Sequence, residues 1–329
     1  MTVFRKLISA CAAATLVAAC GLAQAQTELR ISTAAPDNSP LSEAMRAVKA
    51  RMEAKFPGAI KVSVHAASSL FRQGTEIPAL QRGNLEMSTP VSFEIEAQLP
   101  EWGILGAAYL FRDIDHMFKT MRGEIGKEYF ADIEKKMDLV ILGTGYLGTR
   151  TLDVRTDKPV LKPADLAGMK LRMPPGPTYQ MLGKALGATV VSMPITEVYL
   201  GLKTGAIDGQ DNPTSMTRDW KFYEVTKQIP LTNHLIQPVF LAIAKPAWSK
   251  LTPAQQTELR AAVNEAMEKQ ITQTIADEKS AIELFKKEGL SITQPDLAAF
   301  RAIVHTEYEK GGLTAKWKPG LAARIAAVK

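Results

Sequence analysis

Short apolar stretches alternate with longer amphipathic stretches along most of the chain. Apolar runs and apolar–polar alternation predict strands over residues 28–32, 60–64, 138–142, 169–173, 188–192 and 238–244. Apolar positions recurring every three or four residues predict helices over 42–56, 76–82, 178–186 and 196–203. Strands separated by helices of this length indicate an α/β fold with largely parallel strand pairing.

The region from Ala254 to Glu288 differs from the rest because it contains neither Gly nor Pro. Thr252 is a good N-cap, Gln255 completes a capping box with it, and Gly289 provides a stop signal. A continuous helix here would be about 52 Å long, which exceeds the diameter of a small domain. We therefore expect one helix running along two domains, with two helices joined at a kink as the alternative.

The composition is that of an ordinary soluble protein. The 329 residues are 46% hydrophobic and 22% charged, which excludes a mainly disordered chain, a collagen-like repeat and a polytopic membrane protein. The length favours about two domains. The net charge of +6 is scattered, without a Lys/Arg run, so we expect no nucleic-acid partner.

The first 25 residues are typical of a secretory signal peptide. Arg5 and Lys6 precede an apolar run over 7–19, and an A-x-A cleavage site follows at 23–25. The mature chain is therefore expected to begin at Gln26 and to be periplasmic. The chain carries both of its cysteines, Cys11 and Cys20, in this leader. Lipid attachment at Cys20 is the alternative, since residues 17–20 resemble a permissive lipobox.

A glycine-rich segment at 143–148 matches the G-x-G-x-x-G pattern and follows a predicted strand. A dinucleotide site requires a helix to begin inside the motif, so that its N–H groups meet the pyrophosphate. The residues after Gly148 are instead β-branched and alternating up to Pro159. We interpret the segment as a crossing between domains in which glycines permit tight turns, and we expect no cofactor. A secreted α/β enzyme using this segment is the alternative.

No metal centre or catalytic motif is expected either. Asp208 to Asn212 resembles the start of a calcium loop, but Pro213 stands where the loop needs Gly. None of the four histidines has metal-ligand spacing. There is no G-x-S-x-G elbow and no P-loop.

Arg172 is the strongest single candidate for recognition chemistry. It shares one face of a predicted strand with Lys170, while Leu171 faces the other way. Pro174 ends the strand, so Arg172 could present a rigid fork to a carboxylate. The alternative is a surface arginine in a weak ion pair.

Segments with a distinctive sequence follow one another in a fixed order. The most specific are 165–174 (DLAGMKLRMP), 186–188 (LGA), 196–205 (TEVYLGLKTG) and 207–213 (IDGQDNP), with weaker matches at 110–116, 223–225 and 231–234. In this series the chain resembles the periplasmic solute-binding proteins of tripartite ATP-independent periplasmic (TRAP) transporters. The resemblance covers nearly the whole mature chain.

The resemblance implies a two-domain, periplasmic-binding-protein-like α/β fold with a central cleft and a long helix spanning both domains. Residues 26–148 with 236–276 would form the first domain, and 149–235 with 277–329 the second. Hinge closure would bury a small organic acid, which the protein would deliver to the membrane subunits of the transporter. The implied protein is a monomer without catalytic activity. A binding protein repurposed as a sensor module is a further alternative.

The resemblance also implies ligand-binding residues. Arg172 would grip the ligand carboxylate, Asn212 would line the site, and Arg150 would assist, with an interdomain ion pair as its alternative role. Further wall candidates, for which ordinary packing is the alternative, are Ser92, Phe93 and Tyr146. The sialic-acid binders carry an acidic residue where this chain has residues 90–92 (PVS), which argues against sialic acid. A sugar acid, a C4-dicarboxylate, a 2-oxo acid or an aromatic acid would all satisfy Arg172.

Overall fold

A computed structural model describes residues 26–329. The predicted signal peptide, including Cys20, lies outside the described residues. The strands are β1 (Thr27–Ser32), β2 (Ile60–His65), β3 (Met87–Ser88), β4 (Leu139–Val154), β5 (Lys170–Met173), β6 (Thr189–Ser192), β7 (Gly209–Pro213), β8 (Gln228–Pro230), β9 (Leu235–Ala244) and β10 (Ser291–Thr293).

Helices pack against these strands. They are α1 (Pro40–Lys55), α2 (Glu76–Gln81), α3 (Ser92–Glu96), α4 (Ile114–Arg122), α5 (Glu124–Met137), α6 (Pro177–Ala185), α7 (Val198–Thr204), α8 (Thr214–Asp219), α9 (Lys245–Lys250), α10 (Pro253–Lys287), α11 (Leu297–Lys310) and α12 (Leu321–Ala326). Short 3-10 helices lie at Pro100–Gly106, Pro163–Leu166, Ile195–Glu197, Phe222–Glu224 and Thr314–Lys316. Within residues 26–329, no helix is long and apolar enough to cross a membrane.

The strands form one 10-stranded sheet in the order β2-β1-β3-β9-β4-β7-β5-β6, with β8 pairing with β4 and β10. The α/β class is confirmed. Pairing is parallel among β1, β2 and β3 and among β5, β6 and β7, as predicted. The expectation of largely parallel pairing is wrong in the middle of the sheet, where β9 pairs antiparallel with both β3 and β4. Since β4 and β9 cross between the two halves in opposite directions, they can pair only in this way.

Strand β4 runs without interruption through the glycine-rich segment 143–148. The interpretation of this segment as tight turns is therefore wrong: the glycines sit inside a 16-residue strand with two register shifts. Gly148 has a φ of +137°, and a Cβ there would lie 2.4 Å from Cβ of Pro213 and 2.8 Å from Oε1 of Glu278. The glycines thus serve close packing, and no helix begins within the motif to hold a pyrophosphate.

The 35 residues of α10 form one continuous helix, as predicted, and its first turn carries the predicted capping box. The helix holds β4 at two points. Gln270 exchanges hydrogen bonds with the backbone of Tyr146, at 3.1 Å to N and 2.7 Å to O. Two turns later, Glu278 accepts a 2.5 Å hydrogen bond from the N–H of Thr149. The helix therefore supports the strand on which the chain crosses from one half to the other.

The division into two domains stays a prediction. The C-terminal segment contacts residues that the division assigns to the first domain. Arg112 donates to the carbonyl of Ala326, and His116 lies 2.9 Å from the carbonyl oxygen of Ile325. These contacts are a reason to count α12 with the first domain.

Candidate functional site

A cleft opens where strand ends of the two halves of the sheet face each other. It encloses about 550 Å³ that no atom occupies, part of it open to solvent. Its lining includes side chains from both predicted domains: Ser32, Thr33, Gln73, Glu76, Thr89, Phe93, Glu94, Leu147, Arg150, Arg172, Ile195 and Asn212.

Arg172, on β5, is 1% exposed and lines the cleft. Its Nε donates to the carbonyl of Met193 at 2.9 Å, and its Nη2 lies 3.5 Å from Oε1 of Gln73. Among residues 26–329, no acidic side chain forms an ion pair with it. Burial lowers the pKa of Arg172 to about 9, which leaves the guanidinium charged near neutral pH. Arg172 is thus a buried positive charge whose hydrogen-bond partners among the described residues are neutral.

Arg150, on β4, is buried equally well but is fully paired. Its Nε donates to Oδ2 of Asp211 at 2.7 Å, and its Nη1 donates to Oε1 of Gln237 at 2.9 Å. Burial would raise the pKa of Asp211, but Arg150 and His234 together hold it below its ordinary value. The positive charge of Arg150 is therefore neutralised by an acid of the same predicted domain (149–235), and not by the interdomain ion pair considered as its alternative role. The side chain also lines the cleft.

Asn212, on β7, is buried and lies in the cleft wall. Its Nδ2 donates to the side chain of Gln210, which in turn donates to the buried carboxylate of Asp153. Burial raises the pKa of Asp153 to about 7. This chain of three side chains fixes the orientation of the Asn212 amide at the cleft.

The three wall candidates occupy different places. Phe93 lines the cleft. Ser92 is buried, and its hydroxyl lies 3.4 Å from the hydroxyl of Tyr179. Tyr146 is fully buried and donates to Oε2 of Glu278 at 2.8 Å, while its neighbour Leu147 lines the cleft. The assignment of ligand contact to these residues stays a prediction.

Several lining residues were not expected from the sequence. Ser32 ends β1, and Thr89 follows the end of β3. The carboxyl ends of parallel strands face the ligand crevice in open α/β sheets, so the polar residues at these strand ends were the available signal. Gln73, Glu76 and Glu94 were missed as well, because they lie on a loop and two short helices whose direction only the fold decides.

Glu76 and Glu94 bring two carboxyl groups to the same wall. Glu76 is 4% exposed, and burial raises its pKa to about 7. Burial and the neighbouring charge of Glu76 raise the pKa of Glu94 to about 8. The two groups therefore do not both ionise readily at neutral pH.

The two sides of the cleft touch each other at its mouth. Oε1 of Gln73 accepts a 2.8 Å hydrogen bond from the N–H of Ile195. Arg72 and Glu197 form an exposed ion pair at 2.7 Å. Because these contacts join the two sides, the cleft is closed in this structure.

Two α/β halves joined by crossing strands, a long shared helix and a closed cleft with a charged interior define a solute-binding protein. Residues 31–312 match the family model described as bacterial extracellular solute-binding protein, family 7. The chain belongs to this family, which confirms the prediction of a TRAP-type solute-binding protein.

Named relatives and solved structures agree with this assignment. The chain is 28% identical over 287 residues to the sialic acid-binding periplasmic protein SiaP of Vibrio cholerae, covering 87% of this chain and 88% of SiaP. It is 32% identical over 251 residues to the 2,3-diketo-L-gulonate-binding periplasmic protein YiaO of Escherichia coli, covering 76% of each chain.

A TRAP periplasmic solute-binding protein from Roseobacter denitrificans, crystallised with 3-deoxy-D-manno-oct-2-ulosonic acid, superposes with a TM-score of 0.88 at 34% identity. The match covers 92% of this chain and 100% of that one. A second, from Citrobacter koseri with bound D-glucuronate, has a TM-score of 0.85 at 29% identity, covering 92% and 99%.

Proposed function

We propose that this protein captures a small carboxylate in the cleft, anchors it on Arg172 and hands it to the membrane subunits of a TRAP transporter. The observation that carries the proposal is the buried guanidinium of Arg172, which has no acidic partner among residues 26–329. A buried charge without a counter-charge is unfavourable, and a ligand carboxylate would supply the missing one.

The surroundings of Arg172 suit a carboxylate. A guanidinium offers paired, charge-assisted donors that match the two carboxylate oxygens. Asn212 and Arg150 line the same cleft and have orientations fixed by their own hydrogen bonds. Such preorganised groups lose little entropy when a ligand binds.

Binding and closure are coupled in this proposal. The ligand would contact Arg172 on one side and the wall around Ser32 and Glu76 on the other. Because these contacts form together only in the closed arrangement, the ligand favours that arrangement by its differential affinity. The membrane subunits would then recognise the closed, loaded protein.

The solved relatives support the class of ligand. The Roseobacter and Citrobacter proteins named above hold sugar acids. In the crystal structure of a relative from Bordetella, density was interpreted as pantoate. Each of these ligands contains a carboxylate. We further propose that residues 1–25 direct the protein to the periplasm, where it works as a monomer. It would bind its ligand without converting it chemically, and it would not bind nucleic acid.

Thermal unfolding with a panel of organic acids tests the proposal. A ligand present at 100 times its dissociation constant should stabilise the native protein by about 2.7 kcal/mol. The stabilisation should disappear in Arg172→Met and persist in Arg324→Met, which removes a half-exposed arginine outside the cleft. A carboxylate that stabilises Arg172→Met as strongly as the wild type would show that the anchor lies elsewhere.

A further inference from the structure

The cleft carries one positive charge that the protein does not neutralise. Of the two arginines in its wall, Arg150 is paired with Asp211 at 2.7 Å and Arg172 has no acidic partner among the described residues. His234, behind the wall, contacts the same Asp211, and burial lowers its pKa, which favours the neutral ring. A ligand with one carboxylate therefore completes the charge balance on this side.

The opposite side of the cleft carries acids instead of bases. Oε2 of Glu76 accepts a 2.8 Å hydrogen bond from the N–H of Gly74, and Oε2 of Glu94 accepts one of 2.9 Å from the N–H of Val91. The backbone thus fixes both carboxyl groups at the wall. No lysine, arginine or histidine among residues 26–329 forms an ion pair with either of them.

Hydroxyl groups lie on the same side. Ser32 is fully buried and lines the cleft, and its Oγ has no hydrogen-bond partner among residues 26–329. Thr33 and Thr89 also line the cleft, and their hydroxyls are hydrogen-bonded to each other at 2.7 Å. A buried hydroxyl without a partner is unfavourable, so this wall suits a ligand that itself carries hydrogen-bonding groups.

We propose that Glu76 and Glu94 make the cleft selective for hydroxylated monocarboxylates and exclude dicarboxylates. The inference rests on the proposed function and specifies its ligand. The carboxylate lies at Arg172, and the hydroxyl groups at the far end donate to the two glutamates. A second carboxylate at that end meets acids and, among residues 26–329, no unpaired cation, which costs affinity through repulsion and desolvation.

Matched acids that differ only at the far carbon provide the test. D-gluconate and D-glucarate, or D-erythronate and meso-tartrate, share their hydroxyl stereochemistry but carry a CH2OH or a carboxylate at that end. Calorimetric titration at about pH 8 measures both affinities in whichever pair the protein binds. The diacid should bind at least ~100-fold more weakly than its monoacid, because like charges oppose each other in a site that excludes water.

The glutamates and the pH provide the second readout. The gap is the ratio of the dissociation constants of diacid and monoacid. In Glu94→Gln, and independently in Glu76→Gln, this gap should shrink at least about tenfold, since one repelling carboxyl becomes a neutral amide. In the wild type the gap should widen from about pH 6 to about pH 8, as the two carboxyls lose their protons. Glu134→Gln, which removes a carboxylate outside the cleft, should leave the gap unchanged.

The outcomes separate this inference from the proposed function. Equal binding of a monoacid and its diacid, with both lost in Arg172→Met, would overturn the role of the glutamates and leave the carboxylate anchor intact. A gap that is the same in wild type, Glu94→Gln and Glu76→Gln would also overturn it. Loss of the Arg172 dependence itself would overturn the proposed function.

Discussion

Two buried arginines, Arg150 and Arg172, line the same cleft but differ in whether an acidic side chain neutralises their charge. Arg150 is neutralised by Asp211 and further held by Gln237. Within residues 26–329, Arg172 donates only to a backbone carbonyl and, weakly, to the amide oxygen of Gln73. Burial therefore does not distinguish the two arginines, whereas charge compensation does, and this difference is the basis for proposing Arg172 as the ligand anchor.

The sheet register explains the difference. Arg150 lies on β4 beside β7, where Leu152 pairs with Asp211, so an acid stands one diagonal step away. The direct cross-strand neighbours of Arg172 are Gln210 on β7 and Val191 on β6, and neither carries a charge. The acid diagonal to Arg172 is Asp208, which instead accepts a 2.9 Å hydrogen bond from the N–H of Lys170. The same sheet therefore gives one arginine an acidic partner and leaves the other without one among the described residues.

Replacing the paired arginine, Arg150, should have the largest effect on stability. Arg150→Met leaves Asp211 as a buried, uncompensated carboxylate, and we expect the free energy of unfolding to fall by about 3–5 kcal/mol. Urea unfolding of the ligand-free protein measures it. Adding Asp211→Asn should recover part of the loss, because the orphaned charge is removed. A loss below about 1 kcal/mol would mean that the pair is not structural.

Arg150→Lys should have an intermediate effect. The charge remains, but the fork that reaches both Asp211 and Gln237 is lost. We expect a loss of about 1.5–3 kcal/mol in the same unfolding experiment, the worth of a hydrogen bond to a charged group. If lysine were as stabilising as arginine, charge alone would account for the role of this position.

Arg172→Met should change the stability of the ligand-free protein by less than about 1 kcal/mol, or increase it, because it removes a buried charge that has no ion-pair partner. The measurement is the unfolding midpoint of ligand-free protein, compared directly with Arg150→Met. Equal losses in the two variants would remove the distinction between a structural and a ligand-binding arginine.

The exposed pair Arg72–Glu197 at the cleft mouth should matter least. More than half of each side chain is exposed, at 61% and 52%. Glu197→Gln should therefore weaken ligand binding less than about threefold, as solvent-exposed ion pairs contribute little. A larger effect, persisting at high salt, would show that this pair holds the cleft closed.

Local patterns predicted much of the fold. The long helix α10 follows from its capping box and the absence of Gly and Pro. The strand β4 could not be predicted at its full length, because glycines at 143–148 indicate turns unless a neighbouring helix and strand pack closely against them. The antiparallel centre of the sheet could not be predicted either, since the paired strands β4 and β9 are far apart in the sequence.

The site divides in the same way. Arg172 and Asn212 belong to segments whose order and sequence are distinctive, and the family resemblance extends the expectation to Arg150, so all three could be named as candidates from the sequence. Glu76 and Glu94 lie on short helices whose sequences are not distinctive, and the fold brings the two residues together at the cleft.

By itself, the sequence determined the α/β class, the continuous helix, the family resemblance and the presence of arginines suited to a carboxylate. These features depend on local pattern or on the order of segments, which the chain carries directly. Only the tertiary structure decided that Arg150 meets Asp211, that Arg172 meets no acid among the described residues, and that two carboxyls line the same cleft. The reason is that charge compensation depends on distance and burial, and strand register sets both.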